Sequence, residues 1–196
     1  MEKIAILCIT AVTVMLVFMS GCTGTTPSNQ TDDIAKLKVQ NIWINPLVAY
    51  PMGPNGPKTT MIDAGICDAS DIACTPSALE ITSKSVVTEN DSQWIAFPLT
   101  VPDGATIKGV KVYYSINAGN PSNTYITQTR LAQMTTPDVA SVMMDDGTDL
   151  MGPGPTAHVS NTSYSITGAN ELNLRVVIGD PADSIVIGGI EIFIEK

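Results

Sequence analysis

The chain has a single histidine, four cysteines and an aromatic content of 5% in 196 residues. Each scarcity removes a class of activity. With His158 as the only imidazole, set in Pro155-Thr156-Ala157-His158 and with no nucleophile-elbow motif, a serine or cysteine hydrolase lacks its base. Basic residues are also few: ten Lys and Arg stand against nineteen Asp and Glu, a formal net charge of −9. Such a surface repels nucleic acid and anionic lipid headgroups, so neither is expected as a partner. No Gly-rich phosphate loop, haem attachment site or zinc cluster occurs, which argues against nucleotide and redox cofactors. Glycoside hydrolysis requires two carboxyl groups about 5–10 Å apart. The glutamates at 80, 89, 171, 191 and 195 are scattered and mark no such pair, and the chain is read as non-enzymatic.

One long apolar run is present. After Met1-Glu2-Lys3, residues 4–19 carry no charge. As a helix this is about 24 Å, short of the roughly 20 residues that span a bilayer, and it fits the core of a signal peptide. It leads into Met19-Ser20-Gly21-Cys22-Thr23-Gly24, small residues around a cysteine, and this resembles the lipobox of prokaryotic lipoprotein precursors. The resemblance covers the N-terminal segment alone and departs from the pattern at Met19, where Leu, Val or Ile is commoner. It implies removal of residues 1–21, acylation of Cys22 and attachment to the membrane through that lipid. An uncleaved N-terminal anchor is the alternative, and both place the remainder outside the cytoplasm.

Residues 22–33 offer no apolar side chain to a core beyond the lipid-bearing cysteine, and they form a spacer. The expected division is therefore a signal peptide over 1–21, a spacer over 22–33 and one domain over 34–196. Sequons stand at Asn29, Asn90 and Asn161. Cys67 and Cys74 remain as a pair once Cys8 and Cys22 are assigned to the leader and the lipid. In an oxidising compartment they are expected to form a local disulfide that stabilises by about 2–3 kcal/mol.

Beyond the spacer, period-two alternation dominates. Ile95, Phe97, Leu99 and Val101 share a face and end at Pro102-Asp103-Gly104; Pro98 cannot donate to a ladder and marks an edge or a bulge. Val110, Val112, Tyr114 and Ile116 share another face, against Lys111, Tyr113 and Ser115. Tyr125, Thr127, Thr129 and Leu131 alternate next, and Leu172, Leu174, Val176 and Ile178 later. In the last strand Ile190, Ile192 and Ile194 point inward, with Glu191 and Glu195 outward. Weaker strands lie at 37–44, 79–88, 139–143 and 159–166. With about nine strands and no amphipathic helix, the fold class is all-β: a two-sheet antiparallel β-sandwich, jelly-roll-like. An immunoglobulin fold is disfavoured because its Cys–Trp–Cys arrangement is missing. Residues 45–59 and 145–155 read as long loops, where a rigid sandwich carries binding sites.

The run from Trp94 through the Pro-Asp-Gly turn to Val110-Lys111-Val112-Tyr113-Tyr114 resembles β-sandwich modules of prokaryotic and phage surface proteins, a likeness that implies no particular function. Two candidate sites follow from the residues. Asp145, Asp146 and Asp149 offer oxygen ligands of the kind Ca²⁺ selects, the only cofactor the sequence suggests; a turn built from Asp and Gly explains the same residues. Trp94, Tyr113 and Phe193 point away from the apolar faces and are candidates for a sugar-stacking platform on one outer sheet surface, although in a chain with so few aromatics packing into the core is the favoured account of them. The expected function is a surface lipoprotein serving adhesion, envelope structure or ligand capture, with a glycan or another surface protein as partner. A carbohydrate-binding or glycoside-active protein is the alternative, and a subunit that polymerises by edge-strand pairing is the third.

Overall fold

The computed structural model describes residues 39–66 and 75–196. Eleven strands organise them: β1 (Val39–Ile44), β2 (Tyr50–Met52), β3 (Thr59–Ile66), β4 (Thr75–Ser83), β5 (Trp94–Leu99), β6 (Thr106–Asn117), β7 (Tyr125–Thr136), β8 (Val139–Asp146), β9 (Thr156–Ser165), β10 (Asn170–Val177) and β11 (Ser184–Glu195). From β4 onward the strands pair from the inside out, β7 with β8, β6 with β9, β5 with β10 and β4 with β11, all antiparallel. Further pairs of β6 with β11 and β7 with β10 roll this nested hairpin into two sheets, the jelly-roll topology. The six-stranded sheet runs β3-β4-β11-β6-β9, with β1 also on β11, and the five-stranded sheet runs β2-β5-β10-β7-β8. β1 and β4 divide one edge of β11 between them, β4 at Ile185–Ile187 and β1 from Ile190 to Glu195.

The core lies between the sheets. Ile107, Val110, Val112 and Ile116 of β6 and Ile185, Ile187, Ile190, Ile192 and Ile194 of β11 pack with Ile95 and Phe97 of β5 and Leu172, Leu174 and Val176 of β10. The predicted alternation of these strands is what is seen. Pro98 lies where the strand has one neighbour, because β2 stops opposite Ala96 while β10 continues to Leu99. The missing donor therefore costs no ladder bond on that side.

Three expectations are corrected. The stretch read as one long loop, 45–59, contains β2 and leads into β3, which brings the strand count from nine to eleven. Its prolines hide this: Pro51 lies inside β2, an edge strand bonded only to β5, where a missing N–H is tolerated. Second, β7 does not alternate uniformly. Ile126, Thr129, Leu131 and Gln133 are the buried residues, because Val176 pairs Ile126 while Arg175 pairs Gln128, leaving Thr127 as an extra, bulged residue. Third, Glu191 sits on the outer face as expected yet is only 6% exposed, covered by its neighbours on β1 and β6. The expected signal peptide and spacer, and with them Cys22, Cys67 and Cys74, lie outside the described residues.

Candidate functional site

Inward-facing Ile95, Phe97 and Leu99 force Trp94, Ala96 and Pro98 of β5 onto the outer face of the five-stranded sheet, and Leu172 and Leu174 do the same for Glu171, Asn173 and Arg175 of β10. The register sets Arg175 opposite Trp94, and Asn173 between Ala96 and Arg130. Trp94, Arg130, Glu171 and Asn173, together with Met52 from β2, Ala132 from β7 and Ala140 and Val142 from β8, line a groove of about 280 Å³. Ala132, Ala140 and Glu171 also line a second hollow of about 200 Å³ that reaches Pro98 and Met134. The two hollows make one trough across the sheet.

Its polar groups are fixed. The Arg130 guanidinium lies 4.9 Å and that of Arg175 5.8 Å from the centre of the Trp94 ring, within cation–π range. Arg130 donates two hydrogen bonds to Asp145, at 3.2 and 3.0 Å, and Gln128 donates a third to the same carboxylate. Arg175 donates to the Glu89 carbonyl. The Tyr50 hydroxyl donates to Glu171, and that bond, with burial and the carboxylate charge behind it, pushes the Tyr50 hydroxyl up to about 12.

Asn173 differs from these. It is 6% exposed and its Oδ1 has no partner, as is also true of Arg175 Nε two residues along the same face. A buried acceptor left unpaired costs about 1–3 kcal/mol, which a ligand hydroxyl would recover.

The predicted stacking trio is divided by the fold. Trp94 lies in this trough, whereas Tyr113 and Phe193 belong to β6 and β11 and face outward from the other sheet. Alternation assigns a face within a strand but not the sheet that the strand joins, and β5 and β6 join different ones. The ring stacked on Tyr113 is Trp43, which sequence reasoning passed over. The signal was there, since Ile42 and Ile44 pointing inward leave Trp43 outward.

The three aspartates proposed for Ca²⁺ are not brought together. Asp145 is held by Arg130 and Gln128, and Asp149 accepts from the Thr127 hydroxyl at 2.9 Å. Asp146 accepts from His158 Nε2 at 2.8 Å and Ser160 Oγ at 2.7 Å, and from the Thr148 N–H and hydroxyl at 3.0 and 2.7 Å. Burial pushes the Asp146 carboxyl up, but those hydrogen bonds outweigh it and hold the group well below the usual carboxylate range. Among the described residues no group of three or more His, Cys, Asp or Glu is placed to hold a metal ion. The turn reading accounts for Asp146 and Thr148, an Asx turn in which the side chain bonds the backbone two residues on.

No family model and no curated protein matches the chain. Solved structures do. The CBM22-1–GH10 modules of xylanase 10B from Clostridium thermocellum, crystallised with xylohexaose, are similar over 81% of this chain and 28% of that one, at 12% identity and a TM-score of 0.45. The CBM22-1 xylan-binding domain of Xyn10C from Paenibacillus barcinonensis is similar over 74% and 86%, at 10% identity and a TM-score of 0.44. The K2 adhesin domain of Lys-gingipain is similar over 78% and 99%, at 11% identity and a TM-score of 0.45. The chain thus spans about a quarter of the xylanase chain and most of the two isolated domains.

Proposed function

We propose that this protein is a non-enzymatic glycan-binding module, exported and tethered by a lipid on Cys22, with its site in the trough across the five-stranded sheet. The observation that carries the reading is Asn173 Oδ1, a buried acceptor without a partner in an open groove beside the Trp94 ring. A pyranose supplies what that arrangement lacks. Its C–H face stacks on a flat aromatic ring, and one of its hydroxyls donates to Asn173 Oδ1. A few fixed polar groups among apolar walls are the usual make-up of an orienting small-molecule site. The carboxylates of this face are engaged, Glu171 by Tyr50 and Asp145 by Arg130 and Gln128, which suits holding a sugar rather than cleaving one. Export and acylation rest on the apolar run over 4–19 and on Met19-Ser20-Gly21-Cys22.

A glycan array probed with the purified mature protein tests the site. Saturable binding to at least one glycan is expected, with Trp94→Ala weakening it at least about tenfold, or about 1.4 kcal/mol. An array without saturable binding, or binding that Trp94→Ala leaves intact, refutes this assignment. For the tether, a fatty-acid label should enter the wild-type protein and not Cys22→Ser.

A further inference from the structure

The six-stranded sheet turns a second set of rings outward, on the far side of the sandwich. β1 sends Asn41 and Trp43 out because Ile42 and Ile44 point in; the register then sets Trp43 beside Glu191 of β11, and Glu191 beside Lys111 of β6. Trp43 is 61% exposed yet tightly held. Its ring stacks on Tyr113 with centres 5.4 Å apart and planes 20° from parallel. Its six-membered edge also sits close to Gly189, where an added Cβ would come within 3.3 Å of Cζ3.

Beneath the rings, Glu191 acts as an anchor. Its Oε2 accepts from the Tyr113 hydroxyl at 3.1 Å and its Oε1 from the Asn41 amide, while the Lys111 ammonium stands 4.6 Å from the Tyr113 ring centre. Tyr113 also forms a wall of a cavity of about 510 Å³, shared with Ser115, Thr156, Ala157, Val186 and Gly188. That volume lies in the range of small-molecule sites. A solvated indole forgoes the burial free energy that its area would give in the core. Here several residues fix the exposed ring in place, and pre-organisation of this kind favours a ligand that uses the ring face.

We propose that this face is a second glycan site, in which a sugar ring lies on Trp43 and the chain continues over Tyr113 into the cavity. The proposal rests on the glycan-binding reading above. An uncharged chain is the occupant the patch fits. Lys111 and Glu191 stand opposite each other and cancel, Asn41 and Lys111 border the rings with hydrogen-bonding groups, and the mainly apolar walls of the cavity beyond Tyr113 suit the C–H faces of an uncharged sugar chain. The net charge of −9 disfavours an anionic lipid surface. With sites on opposite faces, one molecule can bridge two glycan chains and gain avidity for a dense polysaccharide.

The test is the glycan array run on the mature protein, on Trp94→Ala, and on Trp94→Ala combined with either Trp43→Ala or Gly189→Val. Gly189→Val crowds the edge of the indole and disturbs its seat without removing it, so both double variants address the platform by independent routes. Trp94→Ala is expected to bind the trough's glycan at least about tenfold more weakly than wild type yet to keep a weaker, still saturable binding to at least one glycan, and both double variants to lose that residual binding, with unchanged circular dichroism. If wild type binds but Trp94→Ala binds nothing, the second site is overturned and the first stands. If Trp94→Ala binds and the double variants bind equally well, the platform is again overturned. If wild type binds no glycan, both assignments fall.

Discussion

Asp146 joins the two sheets at their open edge. It belongs to β8, in the five-stranded sheet, while His158 and Ser160 belong to β9, in the six-stranded one. Asp146→Ala strips the acceptor from four donors at once: His158 Nε2, Ser160 Oγ, and the Thr148 N–H and hydroxyl. Thr148 is exposed and can turn to water, but Ser160 is 3% exposed and cannot. A buried donor left unpaired costs about 1–3 kcal/mol, and the charge-assisted bond to His158 is lost as well, so the variant should lose about 2–3 kcal/mol in all. At about 2–4 °C per kcal/mol for a domain of this size, Tm falls by about 4–12 °C. Asp146→Asn keeps an oxygen for Thr148 and should fall between wild type and the alanine variant.

The pH dependence gives a second reading of the same contact. A carboxyl held below its ordinary value in the fold contributes stability above the unfolded pKa of about 3.9, and that contribution is lost as pH falls toward the folded value. Wild type should therefore approach Asp146→Ala in stability as pH drops from about 5 to about 2, with the full gap present at pH 7. Thermal unfolding followed by circular dichroism across this range measures both quantities. A Tm for Asp146→Ala equal to wild type at pH 7, or parallel curves throughout the acid range, would refute the assignment of this carboxylate as a clasp between the sheets.

Three further outcomes are expected. Tyr50, Tyr125 and Tyr164 are each pushed up to about 12, Tyr50 chiefly by its bond to Glu171, Tyr125 by burial and Glu89, and Tyr164 by burial. Their neutral forms support the fold below about pH 10, and that support is lost as pH rises toward 12, so phenolate absorbance should show a late component that merges with the others once the chain is unfolded. Asp145, Asp146 and Asp149 are committed to separate donors, so Ca²⁺ or a chelator should leave Tm unchanged; a rise of several degrees with Ca²⁺ would show that the acidic turn reorganises around the ion. Cys67 and Cys74, the pair left once the leader and lipid cysteines are assigned, are expected from the sequence to be bridged. Both thiols should resist alkylation until a reductant is added, and modification without one would refute the disulfide.

The all-β class and most inward faces were legible because side chains alternate with period two, and β6, β10 and β11 keep that alternation over long stretches of Val, Ile and Leu. It fails where one inserted residue changes the phase. Thr127 does this in β7, and Gly188 does it in β11, where Ile187 pairs Tyr114 but Gly189 pairs Tyr113. The Gly188-Gly189 pair was a usable sign of a bulge; Thr127 carried none. β2 and β3 were hidden for a different reason, since edge strands need no continuous apolar face, and the three-residue β2 tolerates a proline as well. The candidate site was legible only in part. Trp94 was correctly turned outward, but Asn173 became visible only when the register put it beside Arg130 and Trp94, and its lack of a partner is a property of the folded neighbourhood.

The placement of the two tryptophans bears most directly on function. Trp43 and Trp94 are the chain's only ones, and the fold sets one on each outer face while filling its core with Ile, Leu, Val and Phe97. Tryptophan is among the side chains with most to gain from burial, and a domain short of aromatics would gain stability by placing both inside. Instead, Trp94 is flanked by two guanidinium groups beside the unpaired Asn173 Oδ1, and Trp43 has its edge against a glycine and its face stacked on a tyrosine bonded to Glu191. Random surface exposure would leave such rings free to turn. Rings that are both solvated and fixed are arranged for a partner that meets a flat face, and their position on opposite sheets allows two such partners at once.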